Sequence, residues 1–363
     1  MMKFRLILLM LFLFLGGNLA AQTILTGVVT DSKNAPIPYA SVYLSKTTVG
    51  VLTNDNGAYS LTIPQDGFYE LICSCVGYET NFQMIKADGS PIKMNLQLPE
   101  HIVQIDEVAV KGKDRNRKEN YAQFLNCFIG HTRHSSLCRI KNPEDLVVYR
   151  TSNDSNLVAY SVKPLIIKNL SFGYQINYDL LQFNYNLKTN RLRFAGNYYF
   201  QDITNQKREN ERIKNNRLTA YYGSRMHFLR ALFSGSIQQE SFVINQTQTD
   251  SSGNRTIVSD TIPETHLKVA LDSESMTLYH DLPLVVIYRD NHPELFSDVL
   301  EVRTRKRTSV MVVSDSVKVY KNGYYPEGYN LSWGGNMSRD RVAELLPFDF
   351  VPKPLRKTMK TNF

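Results

Sequence analysis

Cys127, His131, His134 and Cys138 stand four, three and four residues apart. Thiolate and imidazole together make a zinc-like ligand set, and on an unbroken helix this spacing puts all four side chains on one face. Gly130 and the Ser135-Ser136 pair weaken such a helix, and the run would stretch about 16 Å along a rigid axis, too far for one ion. If the chain breaks at Gly130 and folds back, a Cys127–Cys138 disulfide becomes feasible instead. Ordinary buried or surface residues are the preferred reading, with the disulfide and then the metal as alternatives.

A second group is His227 and Arg230 beside Ser224 and Tyr222. Together they could line a polar pocket. With no Asp or Glu within a helical turn to tune the imidazole, a satisfied structural histidine is the preferred reading. None of the seven histidines begins the His-x-x-Glu pattern of zinc carboxypeptidases, and His-Glu-x-x-His is missing as well. The chain has no Gly-x-Ser-x-Gly elbow and no Gly-x-x-x-x-Gly-Lys phosphate loop. Ser90-Pro91-Ile92-Lys93 fits a Ser-x-x-Lys template but falls in a turn between strands, where chance is the simplest account. No catalytic, cofactor-binding or metal residue is assigned, and no cofactor is expected.

The elements that would position these residues divide into two styles. From Gln22 to Lys111, short strands (ILTGVVTD, YASVYLS, AYSLTIP, FYELICS, IKMNLQL) alternate with turns (KNAPIP, NDNG, PQDG, ADGSP). That punctuation predicts an all-β sandwich. Asn54-Asp55-Asn56-Gly57 reads as a hairpin turn capped by the Asp55 carboxylate, without the further oxygens that a calcium loop needs. Cys73 and Cys75 share one face of a strand about 6.5–7 Å apart, a strained geometry for a disulfide, and are expected to be buried thiols.

Lys111 to Asn120 is charged and reads as a linker. Beyond it, ENYAQFLNCFIG has apolar residues at helical spacing, and RLTAYYGSRMHFLRALFSG reads as one helix stopped at Gly235. Between them lie strands rich in Tyr and Phe, from Phe172 to Phe200, which could stack sugars or peptides but are expected to fill a sheet core. SRDRVAELLPFDF is expected to be a short terminal helix with Ser338 as N-cap.

At the front, Lys3 and Arg5 precede an apolar run from Leu6 to Leu15 and small residues ending at Ala21. This is the pattern of a cleaved secretory signal, too short for the roughly 20 residues of a spanning helix. Its two cations leave +6 of the formal +8 charge. The basic runs from Lys111, Gln206, Arg303 and Lys353 are expected to be solvated loops, not a nucleic-acid surface.

Gly27-Val28-Val29-Thr30-Asp31, Pro36 through Val42, Thr53 through Tyr59 and Val76-Gly77-Tyr78 resemble the carboxypeptidase regulatory-like domain. The resemblance implies a transthyretin-like fold of about seven strands without catalytic residues. Such modules accompany zinc carboxypeptidases and precede the plug of TonB-dependent outer-membrane receptors. Ile105 to Val110 is similar to the strand that leads into that plug, but the remaining chain is too short for a plug and a large barrel. Phe128-Ile129-Gly130, Leu137 to Pro143, Tyr222 to Leu232 and Arg341 to Pro347 are similar to exported Gram-negative envelope proteins with the same front module.

The expected organisation is a signal peptide at 1–21, a β-sandwich at 22–111, a linker at 112–120 and an α+β domain rich in antiparallel sheet at 121–363. The expected function is that of an exported, non-catalytic accessory protein, periplasmic or peripheral to the outer membrane. It would bind an envelope protein or glycan, and no nucleic acid. Two alternatives are a hydrolase with a new site built on His227, Arg230 and the Cys/His group, and a small outer-membrane barrel component. The barrel is disfavoured because the last residues, to Phe363, lack an alternating apolar face.

Overall fold

The computed structural model describes residues 22–100, 116–151, 155–204, 210–249, 255–289, 306–326 and 330–353. The leader, the strand expected at Ile105–Val110, linker residues 112–115, His101, His292, most of the basic runs from Lys111 and Arg303, and residues 354–363 lie outside them. The chain divides into two units, Met1–Tyr43 with Val49–Ile102, and Leu44–Thr48 with Val103–Phe363.

The described residues of the first unit are all β or turn. Its strands are β1 (Thr23–Asp31), β2 (Ser41–Leu44), β3 (Gly50–Leu52), β4 (Ala58–Ile63), β5 (Gly67–Ser74), β6 (Asn81–Ala87), β7 (Ile92–Lys93) and β8 (Leu96–Leu98). One sheet runs β4-β1-β7 with β8 also on β1, and the other runs β3-β2-β5-β6. Their inner faces bury Leu25, Val29, Leu61, Ile63, Leu71 and Leu98, each 1% exposed or less. β4 lies antiparallel along one side of β1, while β7 and β8 follow one another, parallel, along its other side. Ile92–Leu98 thus fills a single lane with a break at Met94-Asn95, so the eight strands occupy seven lanes. The break has a local cause. A Cβ on Gly27 would lie 1.7 Å from the Met94 carbonyl oxygen, so only glycine admits this approach. Asn95 Oδ1 then accepts the Val28 N–H at 3.1 Å.

The Asn54–Gly57 turn differs from its expectation in two ways. Asn54, not Asp55, caps it, accepting the N–H groups of Asn56 and Ala58 at 3.0 and 2.9 Å, while Asp55 accepts the Tyr39 hydroxyl at 2.7 Å. Nor is it a hairpin. β3 pairs with β2 and β4 with β1, so the turn carries the chain from one sheet to the other.

The second unit opens with α1 (Arg117–Phe128), followed by β9 (Cys138–Ile140), β10 (Leu146–Arg150), β11 (Asn156–Ser161), β12 (Leu165–Asn169), β13 (Tyr174–Asn186) and β14 (Leu192–Asp202). Residues 117–120, expected in the linker, form the first turn of α1, where Asn120 is buried and its Oδ1 accepts from Arg150 Nε at 2.9 Å. The strands make one antiparallel sheet in the order β10-β11-β13-β12-β9, with β14 on the remaining side of β13. Alternation along β13 buries Tyr174, Ile176, Tyr178 and Leu180; a bulge at Leu181 shifts the register by one, so that Phe183 still points inward. Tyr178 stacks on Tyr198 across the strands at 4.8 Å, and Phe124 of α1 meets Phe183 edge-on at 4.9 Å. The aromatic strands are core, each buried ring contributing about 1.5–3 kcal/mol.

Next come α2 (Glu211–Tyr221), α3 (Arg225–Ser234), β15 (Phe242–Thr249), β16 (Arg255–Thr261), β17 (Lys268–Leu271), β18 (Ser275–Leu278), β19 (Leu284–Arg289), β20 (Lys306–Val313), β21 (Val317–Tyr320) and β22 (Leu331–Gly335). They form a five-stranded sheet, β16-β15-β19-β20-β22, and a three-stranded one, β17-β18-β21. Phe228, Leu229 and Leu232 of α3 share their core with Phe242, Val286 and Met311.

Two helix expectations need correction. The expected single helix at 217–235 is α2 and α3 with a sharp corner between them. Tyr222 and Ser224 are extended, Gly223 takes φ +77, and Ser224 Oγ caps α3 by accepting the His227 N–H at 3.2 Å. Gly235 does end α3, in the left-handed conformation. The terminal stretch forms two short 3-10 turns, Asn336–Arg339 and Val342–Glu344, instead of an α-helix. Ser338 Oγ donates back to the Gly335 carbonyl at 2.7 Å, which removes it as a cap, and Arg341 is extended between the turns.

Candidate functional site

The polar side chains of the second unit collect where the 129–138 loop, the α2–α3 corner and the 339–350 segment come together. α1 stops at Phe128, and Gly130 reverses the chain with φ +98. That reversal places His134, 4% exposed, against Glu344: Nδ1 lies 3.0 Å from both carboxylate oxygens. The Thr132 hydroxyl donates to the same carboxylate. On the other side of the ring, Nε2 accepts from Arg133 Nε at 3.1 Å.

The Cys/His group is therefore not brought together. Because the helix ends before His131, the four side chains never share a face. His131 is exposed, Cys127 takes a 3.5 Å contact from Gln123 Nε2, and Cys138 is buried in β9. Cys73, Cys75, Cys127 and Cys138 are all free thiols. Burial pushes the thiols of Cys138 and Cys73 up to about 12. Among the described residues, no three His, Cys, Asp or Glu side chains converge as metal ligands.

His227 and Arg230 also part company. His227 Nδ1 accepts the Gly223 N–H at 3.1 Å, so Nε2 carries the proton and donates it to Glu240 Oε2 at 2.9 Å. The rings of Tyr221, Tyr222, Phe242 and Tyr288 surround this imidazole at 4.8–5.7 Å. One turn later, Arg230 donates to the carbonyls of Asn322, Phe350 and Phe348, each at 2.9 Å, and stitches the terminal segment to α3. His227 and Arg230 thus turn to separate partners, and the imidazole has a hydrogen bond at each ring nitrogen, as in the preferred reading of a structural histidine. Both ring nitrogens of His134 and of His227 are engaged in hydrogen bonds of the fold.

Two arginines from the basic runs are also structural instead of solvated. Arg217, 7% exposed, donates to the Phe172 carbonyl at 2.7 Å and to Asp202 Oδ2 at 2.9 Å, with its guanidinium 4.0 Å from the centre of the Tyr174 ring. Arg307 donates to the Tyr222 carbonyl at 2.9 Å. A third pair, Arg225 with Asp340, was not singled out from the sequence; its residues are 115 positions apart, so no local pattern announces it.

Residues 25–110 match the family model of the CarboxypepD_reg-like domain. The first unit, two packed sheets with β1 flanked by β4 and the β7–β8 lane, is a domain of this type. Over 113 residues the chain is 34% identical to the TonB-dependent receptor P39 of Formosa agariphila, which covers 31% of this chain and 10% of the receptor. The chain thus spans about a tenth of that relative's length. Among solved structures, catechol 1,2-dioxygenase from an Acinetobacter species is similar over 24% of this chain and 55% of that chain, with 11% identity and a TM-score of 0.20. A putative membrane-associated protein of unknown function from Bacteroides fragilis aligns over 86% of this chain and 93% of that chain, with 9% identity and a TM-score of 0.18. At such scores neither likeness carries an argument. Among the described residues, no helix is long and apolar enough to cross a membrane.

Proposed function

We propose that this chain is an exported protein of the cell envelope that acts by binding, using the front sandwich and the sheet-rich second unit as a scaffold, and that it is not an enzyme. The observation that carries the reading is the CarboxypepD_reg-like domain at residues 25–110, a domain type shared with a TonB-dependent receptor relative. The apolar leader pattern supports export. Against catalysis stands the use of the buried polar groups, since His134, His227, Arg217 and Arg230 are each spent on carbonyls or carboxylates of the fold. The partner expected is an envelope protein or glycan, with association to the outer membrane peripheral.

The test is fractionation of native cells together with hydrolase assays on the purified mature chain. The expected result is recovery with the envelope, release by high salt or carbonate, and no turnover of peptide, ester or glycoside substrates. Turnover abolished by a single substitution would overturn the non-catalytic reading, and recovery in the cytosol would overturn export.

A further inference from the structure

One rung of the second unit's antiparallel sheet runs Cys138, Asn169, Tyr174, Asp202 across β9, β12, β13 and β14. Cys138, Asn169 and Tyr174 are buried against the core, so the alternation of a strand turns their neighbours along each chain to the outer face. On one side the outward rung is Arg139, Lys168, Gln175, Gln201. On the other, one step past the strand ends, stand Leu137, Leu170 and Ile203. The Leu170 N–H donates to the Leu137 carbonyl at 3.0 Å, and the Ile203 N–H to the Gly173 carbonyl at 2.9 Å, which continues the sheet's spacing into this row. Leu137, Leu170 and Ile203 are 37%, 54% and 40% exposed. An aliphatic row thus lies beside a cationic one, about 6.5–7 Å away by the rise of two residues.

The cations have no counter-charge. Arg139 and Lys168 are direct cross-strand partners, and like charges so placed destabilise a sheet. Lys141, two residues beyond Arg139, is exposed, and its N–H donates to the Ile166 carbonyl at 2.8 Å. Arg139 Nη1 donates to the carbonyls of Cys138 and Ser135 at 2.8 and 3.4 Å, and among the described residues no carboxylate pairs with Arg139, Lys141 or Lys168. Asp202, the acid on the intervening rung, is held by Arg217 at 2.9 Å. A soluble anion would answer the cations and leave the aliphatic side chains in water, while an apolar protein groove would answer the aliphatic side chains and leave the cations unpaired. A bilayer with acidic headgroups answers both, since its phosphates lie a few ångströms outside its hydrocarbon.

We propose that this end of the sheet is a membrane-docking surface: Leu137, Leu170 and Ile203 enter the boundary between headgroups and acyl chains of an anionic bilayer, and Arg139, Lys168 and Lys141 hold its phosphates. The surface gives residues to the peripheral membrane association proposed above, and it rests on that reading.

The experiment sediments the full mature chain with vesicles of phosphatidylcholine alone, and of phosphatidylcholine and phosphatidylglycerol in equal parts. Binding to the acidic vesicles is expected to be tighter by about tenfold or more, and to weaken as salt rises. Lys168→Gln and Arg139→Gln should each weaken it about fivefold. Leu170→Ser should weaken it several-fold with its salt dependence unchanged, a split that adhesion by charge alone would not give. These side chains lie on the surface, so the thermal midpoint without vesicles should stay in place, and Ile203→Ser is the second aliphatic variant should Leu170→Ser not fold. No binding to the acidic vesicles, equal binding to both kinds, or acidic-vesicle binding that the folded cation or aliphatic variants leave intact overturns the proposal. A chain that binds the acidic vesicles in this pattern yet fractionates with the cytosol upholds the surface and fails the export reading alone.

Discussion

His227 donates its Nε2 proton to Glu240, 13 residues further on, while its Nδ1 takes the backbone N–H of Gly223. One imidazole thereby clasps the α2–α3 corner to the segment that leads into β15.

Removing that ring should cost stability instead of activity. His227→Ala strands the Gly223 N–H inside an aromatic cage and is expected to lose about 2–3 kcal/mol. Glu240→Gln keeps an acceptor for Nε2 and should lose less than about 1 kcal/mol. Urea unfolding followed at Trp333, the single tryptophan and a neighbour of Phe228, reports on this part of the fold. Equal losses for the two variants would place the whole effect in the His227–Glu240 bond and leave nothing for the stranded Gly223 N–H or the ring's contacts to Tyr221 and Phe242.

Gly27→Ala should break the front sandwich. The new methyl would sit on the Met94 carbonyl oxygen, and neither backbone can retreat without parting β1 from its neighbours; a loss of about 3 kcal/mol or more is expected. Far-UV circular dichroism melts of parent and variant decide this, and an unchanged melting profile would refute the close approach.

Asp179 gives the pH dependence a sign. Burial pushes its carboxyl above the ordinary value near 3.8, with a hydrogen bond to Ser161 opposing. The folded state therefore holds this proton more tightly than the unfolded chain, so ionisation costs stability. The penalty is absent below the ordinary value, grows as pH rises through the folded one, and is complete above it. Asp179→Asn should resist urea better than the parent at neutral pH, the gap closing toward about pH 3.5. A gap that widens on acidification would contradict the burial argument.

Thiol labelling should separate the cysteines into pairs. Cys73 and Cys138, pushed up to about 12 by burial, should stay unmodified by iodoacetamide at pH 8 in the native protein, while the half-buried Cys75 and Cys127 react first. In denaturant all four should label, and peptide mass spectrometry reads both patterns. Oxidised Cys127–Cys138 peptides from the native chain would contradict the free thiols.

What could be read in the residues was whatever is encoded locally. Turn residues between β-branched runs marked the sandwich, the spacing of Phe124 and Phe128 marked α1, and Gly235 marked the end of α3. The corner at Gly223-Ser224 was also written there, as a glycine followed by a capping serine, but the apolar stripe on either side of it reads as one continuous helix. The terminal turns were misread because Ser338 resembles a cap until its hydroxyl is seen to bond backward to Gly335. The polar pairings left no local trace. His134 and Glu344 are 210 residues apart and Arg225 and Asp340 are 115 apart, and only the folded sheet order brings them together.

The lane shared by β7 and β8 bears on how the chain acquires its shape. Once made, β1 can recruit β4, but its opposite edge stays open until Ile92–Leu98 follow. Closure of the front module is therefore a late event in synthesis, and until then the bare edge of β1 is open to pairing with another strand.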